Sequence, residues 1–228
     1  MNANSFCSVA IDGPSGAGKS TVARRAAERF GFRYVDTGAI YRTVGLAARR
    51  AGIDPSDAAA VEGLLPSVRI TLDYDSDGAQ RMFLAGEDVS LSIRENEISS
   101  YASRVSALPA VRAFLMEMQR STARSFHVIM DGRDIGTVVL PDAGLKIFLT
   151  ASAEARAARR CLELEQKGQA LPFEQVLADM IERDERDTNR AAAPLRAAED
   201  AVFVDTSDLT LEQSVEAVCA LIAERFSL

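Results

Sequence analysis

Two periodicities alternate along this chain. Short apolar runs, most of them closing on an aspartate, recur at Phe6-Cys7-Ser8-Val9-Ala10-Ile11-Asp12, Arg33-Tyr34-Val35-Asp36, His127-Val128-Ile129-Met130-Asp131, Leu145-Lys146-Ile147-Phe148-Leu149 and Ala201-Val202-Phe203-Val204-Asp205. Such runs predict buried strands. Between them the apolar positions fall at helical spacing. Helices are expected over 21–30 (stopping at Gly31), over 37–51 (ending at Gly52), and from near Asp54-Pro55 with the proline in the first turn. Further helices are expected over 95–107, 109–124, 152–167, 172–187 and 207–226, with Gly168 joining the pair before the last. Strands separated by helical crossovers predict an α/β fold, a five-stranded parallel sheet with helices on both faces. One stretch breaks the rhythm. Val68, Ile70, Leu72 and Tyr74 alternate with Arg69, Thr71 and Asp73, Asp75 to Gly78 turns, Gln80 to Leu84 returns, and Ala85 to Asp88 turns again. That is a small antiparallel unit, so residues 63–93 read as an insertion into a core made of 1–62 and 94–228. No segment repeats and none is of low complexity.

In a sheet of this kind ligands bind beyond the carboxyl ends of the strands, where Asp12, Asp36 and Asp131 fall. The stretch directly after Asp12, Gly13-Pro14-Ser15-Gly16-Ala17-Gly18-Lys19-Ser20, satisfies G-x-x-x-x-G-K-[ST] between a predicted strand and a predicted helix. Its glycines let successive backbone N–H groups turn in around a phosphate, and the helix dipole adds to the attraction. Gly13, Ser15, Gly16, Ala17, Gly18, Lys19, Ser20 and Thr21 are therefore the candidate ATP contacts. Lys19 would reach the outer phosphates and Ser20 would ligate Mg²⁺, with Asp36 or Asp131 behind the metal's own ligands. A second polar loop, Asp131-Gly132-Arg133-Asp134-Ile135-Gly136-Thr137, exits at the same edge of the sheet. A third stretch, Glu182 to Arg190, is dense in charge. Its opposite charges four residues apart are also what any solvated helix shows, so composition alone assigns it nothing.

Composition narrows the classes. The 228 residues are 47% hydrophobic and 26% charged, enough apolar material for a core. A formal net charge of −7 works against a nucleic-acid partner. Cys7, Cys161 and Cys219 are odd in number and scattered among apolar neighbours, so they read as reduced packing residues of a cytoplasmic protein. His127 opens an apolar run, which suits a structural role. No apolar stretch is long enough to cross a membrane, and with the first strand close to the N-terminus no signal peptide is expected.

Taken together and in this order, the Gly13–Ser20 loop, Asp36-Thr37-Gly38-Ala39-Ile40-Tyr41-Arg42, Asp131 to Thr137 and Arg183-Asp184-Glu185-Arg186-Asp187-Thr188-Asn189-Arg190 resemble the bacterial cytidylate kinase family, from about Phe6 to the C-terminus. Thr37 stands where many relatives have serine, which keeps the hydroxyl. The resemblance implies transfer of the ATP γ-phosphate to CMP or dCMP with Mg²⁺, a core with an enlarged monophosphate-binding insert, and a lid at about 156–190. It implies that Arg42, Arg133 and Arg190 hold the CMP phosphate, that Ser103, Arg112 and Asp134 read cytosine, and that Arg183 and Asp187 reach the ribose. Thr37 joins the CMP contacts, and Arg159 would fold from the lid over the moving phosphoryl group. Catalysis would then rest on Lys19, Arg133, Arg159 and Arg190 in a monomer acting on free nucleotides. Two other readings stay open. A kinase for shikimate, a sugar acid or dephospho-coenzyme A would share the phosphate loop, but would give no reason for the insertion or for this arginine set. A nucleotide-dependent switch is the other, although the Asn-Lys-x-Asp that reads guanine is absent.

Overall fold

The computed structural model describes residues 6–166 and 168–228. Its centre is a parallel sheet of β1 (Ser8–Asp12), β2 (Arg33–Asp36), β6 (Val128–Gly132), β7 (Leu145–Thr150) and β8 (Val202–Asp205), in the spatial order β2-β6-β1-β7-β8. Side chains alternate across the strands and feed two cores. Ala10, Val35, Val128 and Met130 pack under α2 (Thr37–Arg50), α4 (Asn96–Val105) and α5 (Pro109–Ser125). Val9, Ile11, Ile129, Ile147 and Leu149 pack under α1 (Lys19–Phe30) and α8 (Leu211–Phe226). The five-stranded sheet covered on both faces is therefore present as the periodicity predicts. Register places Asp36 directly beside Asp131, and Asp12 beside Gly132. The strand-end acids thus share one edge.

The interruption between α2 and α4 is antiparallel, as the alternation predicts. It begins with α3 (Ala58–Leu64) and continues through β3 (Ile70–Tyr74), β4 (Gln80–Leu84) and β5 (Glu87–Asp88). The unit has no core of its own. Met82, Leu84, Val89 and Ile93 join the same apolar cluster as Val35 and Ile40. Near the other end of the chain, α6 (Ala153–Gln166) and α7 (Phe173–Asn189) form a hairpin with a separate small core of Ala157, Leu164, Val176 and Met180.

Four local expectations change. Pro55 lies ahead of α3, whose N-cap is Asp57, accepting from the Ala60 N–H at 3.0 Å. Glu87 and Asp88 pair with Leu84 and Phe83 as a third strand where a turn is expected. α8 starts behind Thr210, which forms a reciprocal capping box with Gln213. Ser207, the expected start, instead bonds Asp205. After β6 the chain makes a short π-helical turn, Ile135–Val139, that no period announces. Lys167, expected to close the helix before Gly168, lies outside the described residues, as do residues 1–5 of the expected core.

Candidate active site

Gly13 leaves β1 at φ 148°, and a Cβ there would stand 1.9 Å from the Leu149 carbonyl oxygen, so only glycine fits. The loop then leads into α1, whose cap is Gly18 and whose first residue is Lys19. The Lys19 ammonium is buried and donates to the Pro14 carbonyl at 2.6 Å. Burial pushes its pKa well below the usual range, Arg133 and Arg183 push the same way, and Asp131 and Asp12 oppose them. Ser20 donates to Asp131 Oδ2 at 2.7 Å, Tyr34 donates to Oδ1 at 3.1 Å, and the Thr37 hydroxyl holds the Asp131 carbonyl at 2.7 Å. Burial, then neighbouring Asp36, raises the Asp131 carboxyl to about 6, against Lys19 and the two hydroxyls. A carboxylate pair that repels itself beside a serine hydroxyl suits Mg²⁺, which takes one or two such groups and completes its shell with phosphate and water. Asp12 differs from Asp131. Both its oxygens accept backbone N–H groups, from Ile135 and Gly136, at 2.7 Å each. It ties down the π-turn.

Cations from distant segments converge opposite this loop. Arg42, from α2, binds Asp36 Oδ2 at 2.7 Å; Arg133 binds Asp187 Oδ2 at 2.8 Å; Arg183 extends from α7. Burial, then Arg133 and Arg42, outweigh Asp187 and bring the Arg183 guanidinium down to about 10. The Nε–H groups of Arg42 and Arg183 are buried with no hydrogen-bond partner. Beside them Asp134 is gripped by Arg112 and by Arg190, the latter at 3.1 Å. Burial pushes Asp134 up, and burial with neighbouring Arg112 pushes Arg190 down, each toward neutrality, yet two guanidiniums on one carboxylate keep this group an ion cluster. Asp187 runs the other way, because burial, the largest single effect, is outweighed by Arg133, Arg183 and Arg190 together, which hold it below the usual carboxylate range. The α6–α7 hairpin reaches the phosphate loop through Arg156. That guanidinium donates to Ser15 O at 3.0 Å and to Ala151 O at 2.9 Å, and pairs with Asp184 at 2.7 Å.

A phosphate loop facing an arginine cluster fits several small kinases, and comparison with known proteins decides among them. The family description for cytidylate kinase matches residues 9–224. The chain belongs to the cytidylate kinase family. It is similar to the cytidylate kinase of Mycolicibacterium paratuberculosis, 52% identical over 218 residues and 95% of each chain. The cytidylate kinase of Pelotomaculum thermopropionicum is 48% identical over 220 residues, 96% of this chain and 97% of its own. That of Geobacter sulfurreducens is 47% identical over 217 residues, 95% and 93% of the two chains.

Most residues that the resemblance to cytidylate kinases singles out meet in space. Lys19 feels the charges of Arg133, Arg183 and Asp131, and Arg183 those of Arg42 and Asp187. Arg112, Asp134 and Arg190 form the adjoining cluster. One residue stands apart. The Arg159 guanidinium is bonded to the Thr206 carbonyl and hydroxyl, beside the phosphate loop at Ala17. Ser106 borders the Arg112–Arg190 cluster, and its hydroxyl donates to the Ser103 carbonyl at 2.9 Å. Ser106 offers its carbonyl to Arg112 at 3.3 Å and its hydroxyl to Arg190 at 3.5 Å. Two residues carried no signal in the sequence. Arg156 is one of three arginines within α6, and only the helix register shows which faces Ser15. Gln80 lies in the insert, yet its amide touches Asp36.

Proposed function

We propose that this protein transfers the γ-phosphoryl group of ATP to CMP or dCMP, giving CDP or dCDP. The observation that supports it best is the incomplete cation cluster. Arg133 and Arg183 lower the proton affinity of Lys19, Arg133 and Arg42 lower that of Arg183, and Arg42 and Arg183 bury N–H groups with nothing to donate to. Buried donors without acceptors are costly, so the cluster calls for an anion rich in oxygen acceptors. A phosphate monoester has a second pKa near 6, so the attacking oxygen is largely ionised at neutral pH and needs no general base. What the site must do is bring two anions together and neutralise charge as the phosphoryl group passes between them. Lys19 and the backbone of the Gly13–Ser20 loop hold the donor. Arg42, Arg133 and Arg190 hold the acceptor phosphate, and Arg183 with Asp187 the sugar. Mg²⁺, held by Ser20 with Asp131 and Asp36 behind it, supplies charge neutralisation on the donor phosphates when bound. The α6–α7 hairpin, within about 156–190, closes as a lid and keeps water from competing for the phosphoryl group.

Base choice follows from the Arg112–Asp134 pair, with Ser103 as a further donor. A carboxylate set beside a donor matches cytosine, which has an amino group at position 4 and acceptors at N3 and O2. Uracil reverses the pattern and leaves polar groups unpaired. In this reading the protein works as a cytoplasmic monomer on free nucleotides. Turnover of ATP with CMP, dCMP, UMP, AMP and shikimate tests the proposal. CMP and dCMP are expected to be good acceptors and UMP worse by roughly two orders of magnitude in kcat/KM. Equal turnover of CMP and UMP would remove the base assignment, and phosphorylation of shikimate alone would overturn the function.

A further inference from the structure

β2 is an edge strand, and its outer edge is bonded by side chains of the insert instead of by a neighbouring strand. Residues 34 and 36 present their peptide groups to that edge. The Tyr74 hydroxyl donates to Tyr34 O at 3.1 Å. The Asp36 N–H donates to Gln80 Oε1 at 2.7 Å, and Gln80 Nε2 donates back to Asp36 O at 3.2 Å. One primary amide thus reproduces the paired donor and acceptor that a strand would offer. The orientation of that amide is set by its partners, since only an oxygen can receive the Asp36 N–H.

Asp36 is where this brace meets the chemistry. Its carboxylate caps α2 by accepting from Ala39 N at 2.8 Å through Oδ1, and holds Arg42 at 2.7 Å through Oδ2. The fit is close. A Cβ on Gly38 would come to 3.0 Å from both Arg42 Nη1 and Asp36 Oδ1. Arg42 therefore takes its pose from Asp36, and the Asp36 peptide takes its pose from Gln80. We propose that Gln80 is a positioning residue for the acceptor, aiming Arg42 at the acceptor phosphate through Asp36 without touching the substrate. This rests on the reading of Arg42 as an acceptor contact. It also assigns the insert a task beyond enlarging the site. Its hairpin closes the sheet edge and fixes the charge layout at the head of α2.

Steady-state kinetics of Gln80→Ala and Gln80→Glu test it. Glutamate keeps the size and the acceptor for Asp36 N–H but loses the donor to Asp36 O, so it remains informative if the alanine variant folds poorly. Each variant is expected to raise the KM for CMP about tenfold, the scale of one or two lost hydrogen bonds, with the KM for ATP changed less than twofold. In an Arg42→Lys background the same Gln80 changes should add less than twofold, because the route through Arg42 is already cut. A general weakening of the fold would move both KM values, or add in full to Arg42→Lys, and would overturn the inference. Unchanged KM for CMP in a well-folded variant would overturn it too. Wild-type turnover of CMP is the reference, and its absence would refute the functional reading itself.

Discussion

The insert and the α6–α7 hairpin, the lid of the proposed function, both border the acceptor side of the site, but they are attached in opposite ways. The insert shares the main core, with Met82 and Ile93 buried in one cluster with Val35 and Ile40. The lid keeps its own core of four buried side chains and meets the rest of the protein largely through polar contacts. Those contacts include Arg156 on Ser15 O, Arg159 on Thr206, Arg133 on Asp187, and Asn96, whose amide accepts from Arg160 at 2.8 Å and donates to Gln169 at 3.2 Å. Polar contacts exchange with water at little net cost, whereas an apolar interface does not. In the proposed function the same border is one fixed wall and one removable cover. A transferase that must admit two anions and then exclude water needs both.

Truncating each core exposes the difference most strongly. Met82→Ala leaves a cavity in the shared core and is expected to cost about 2–5 kcal/mol of global stability, lowering Tm by roughly 5–15 °C. Leu164→Ala cuts a comparable side chain from the lid core, yet should move the main transition by less than about 3 °C, since the lid can open without the sheet. Calorimetry of the two variants checks this, and equal losses would fuse lid and core into one cooperative unit. Amide exchange sharpens the same contrast. Residues of α6 and α7 should exchange faster than β4 in the free protein and gain about tenfold protection when CMP and a non-hydrolysable ATP analogue are added together. Uniform exchange across both regions would contradict a moving cover.

How much of this the sequence discloses depends on how local each feature is. The phosphate loop is contiguous, its neighbours have clear periods, and it is legible outright. The acceptor side draws on α2, α5, the turn after β6 and α7, so only a family resemblance gathers Arg42, Arg112, Asp134 and Arg183. Asp12 and Asp131 are indistinguishable as strand-end acids until the π-turn offers Asp12 two amides and leaves Asp131 to Ser20 and Tyr34. Glu87 and Asp88 carry no apolar alternation because that strand pairs at an edge with both side chains exposed. Gln80 reads as an ordinary strand residue, because its role exists only through the edge of β2.

The smallest expected effect concerns the lid's hold on α4. Asn96 is exposed and its two bonds compete with water, so Asn96→Ala should lower kcat/KM by about three- to tenfold. The loss should come with a raised rate of ATP hydrolysis in the presence of CMP, which a stopped assay of phosphate release would register. Unchanged hydrolysis would mean that this amide does not help the cover stay shut.

The central claim is that Arg42, Arg133 and Arg190 wait for the acceptor phosphate. Titration calorimetry of CMP against cytidine tests it without turnover. Charge-assisted hydrogen bonds to that phosphate predict CMP binding tighter than cytidine by about a hundredfold or more, with the gap narrowing in Arg42→Gln. Equal affinity for the two ligands, or a gap unmoved by the substitution, would contradict the account.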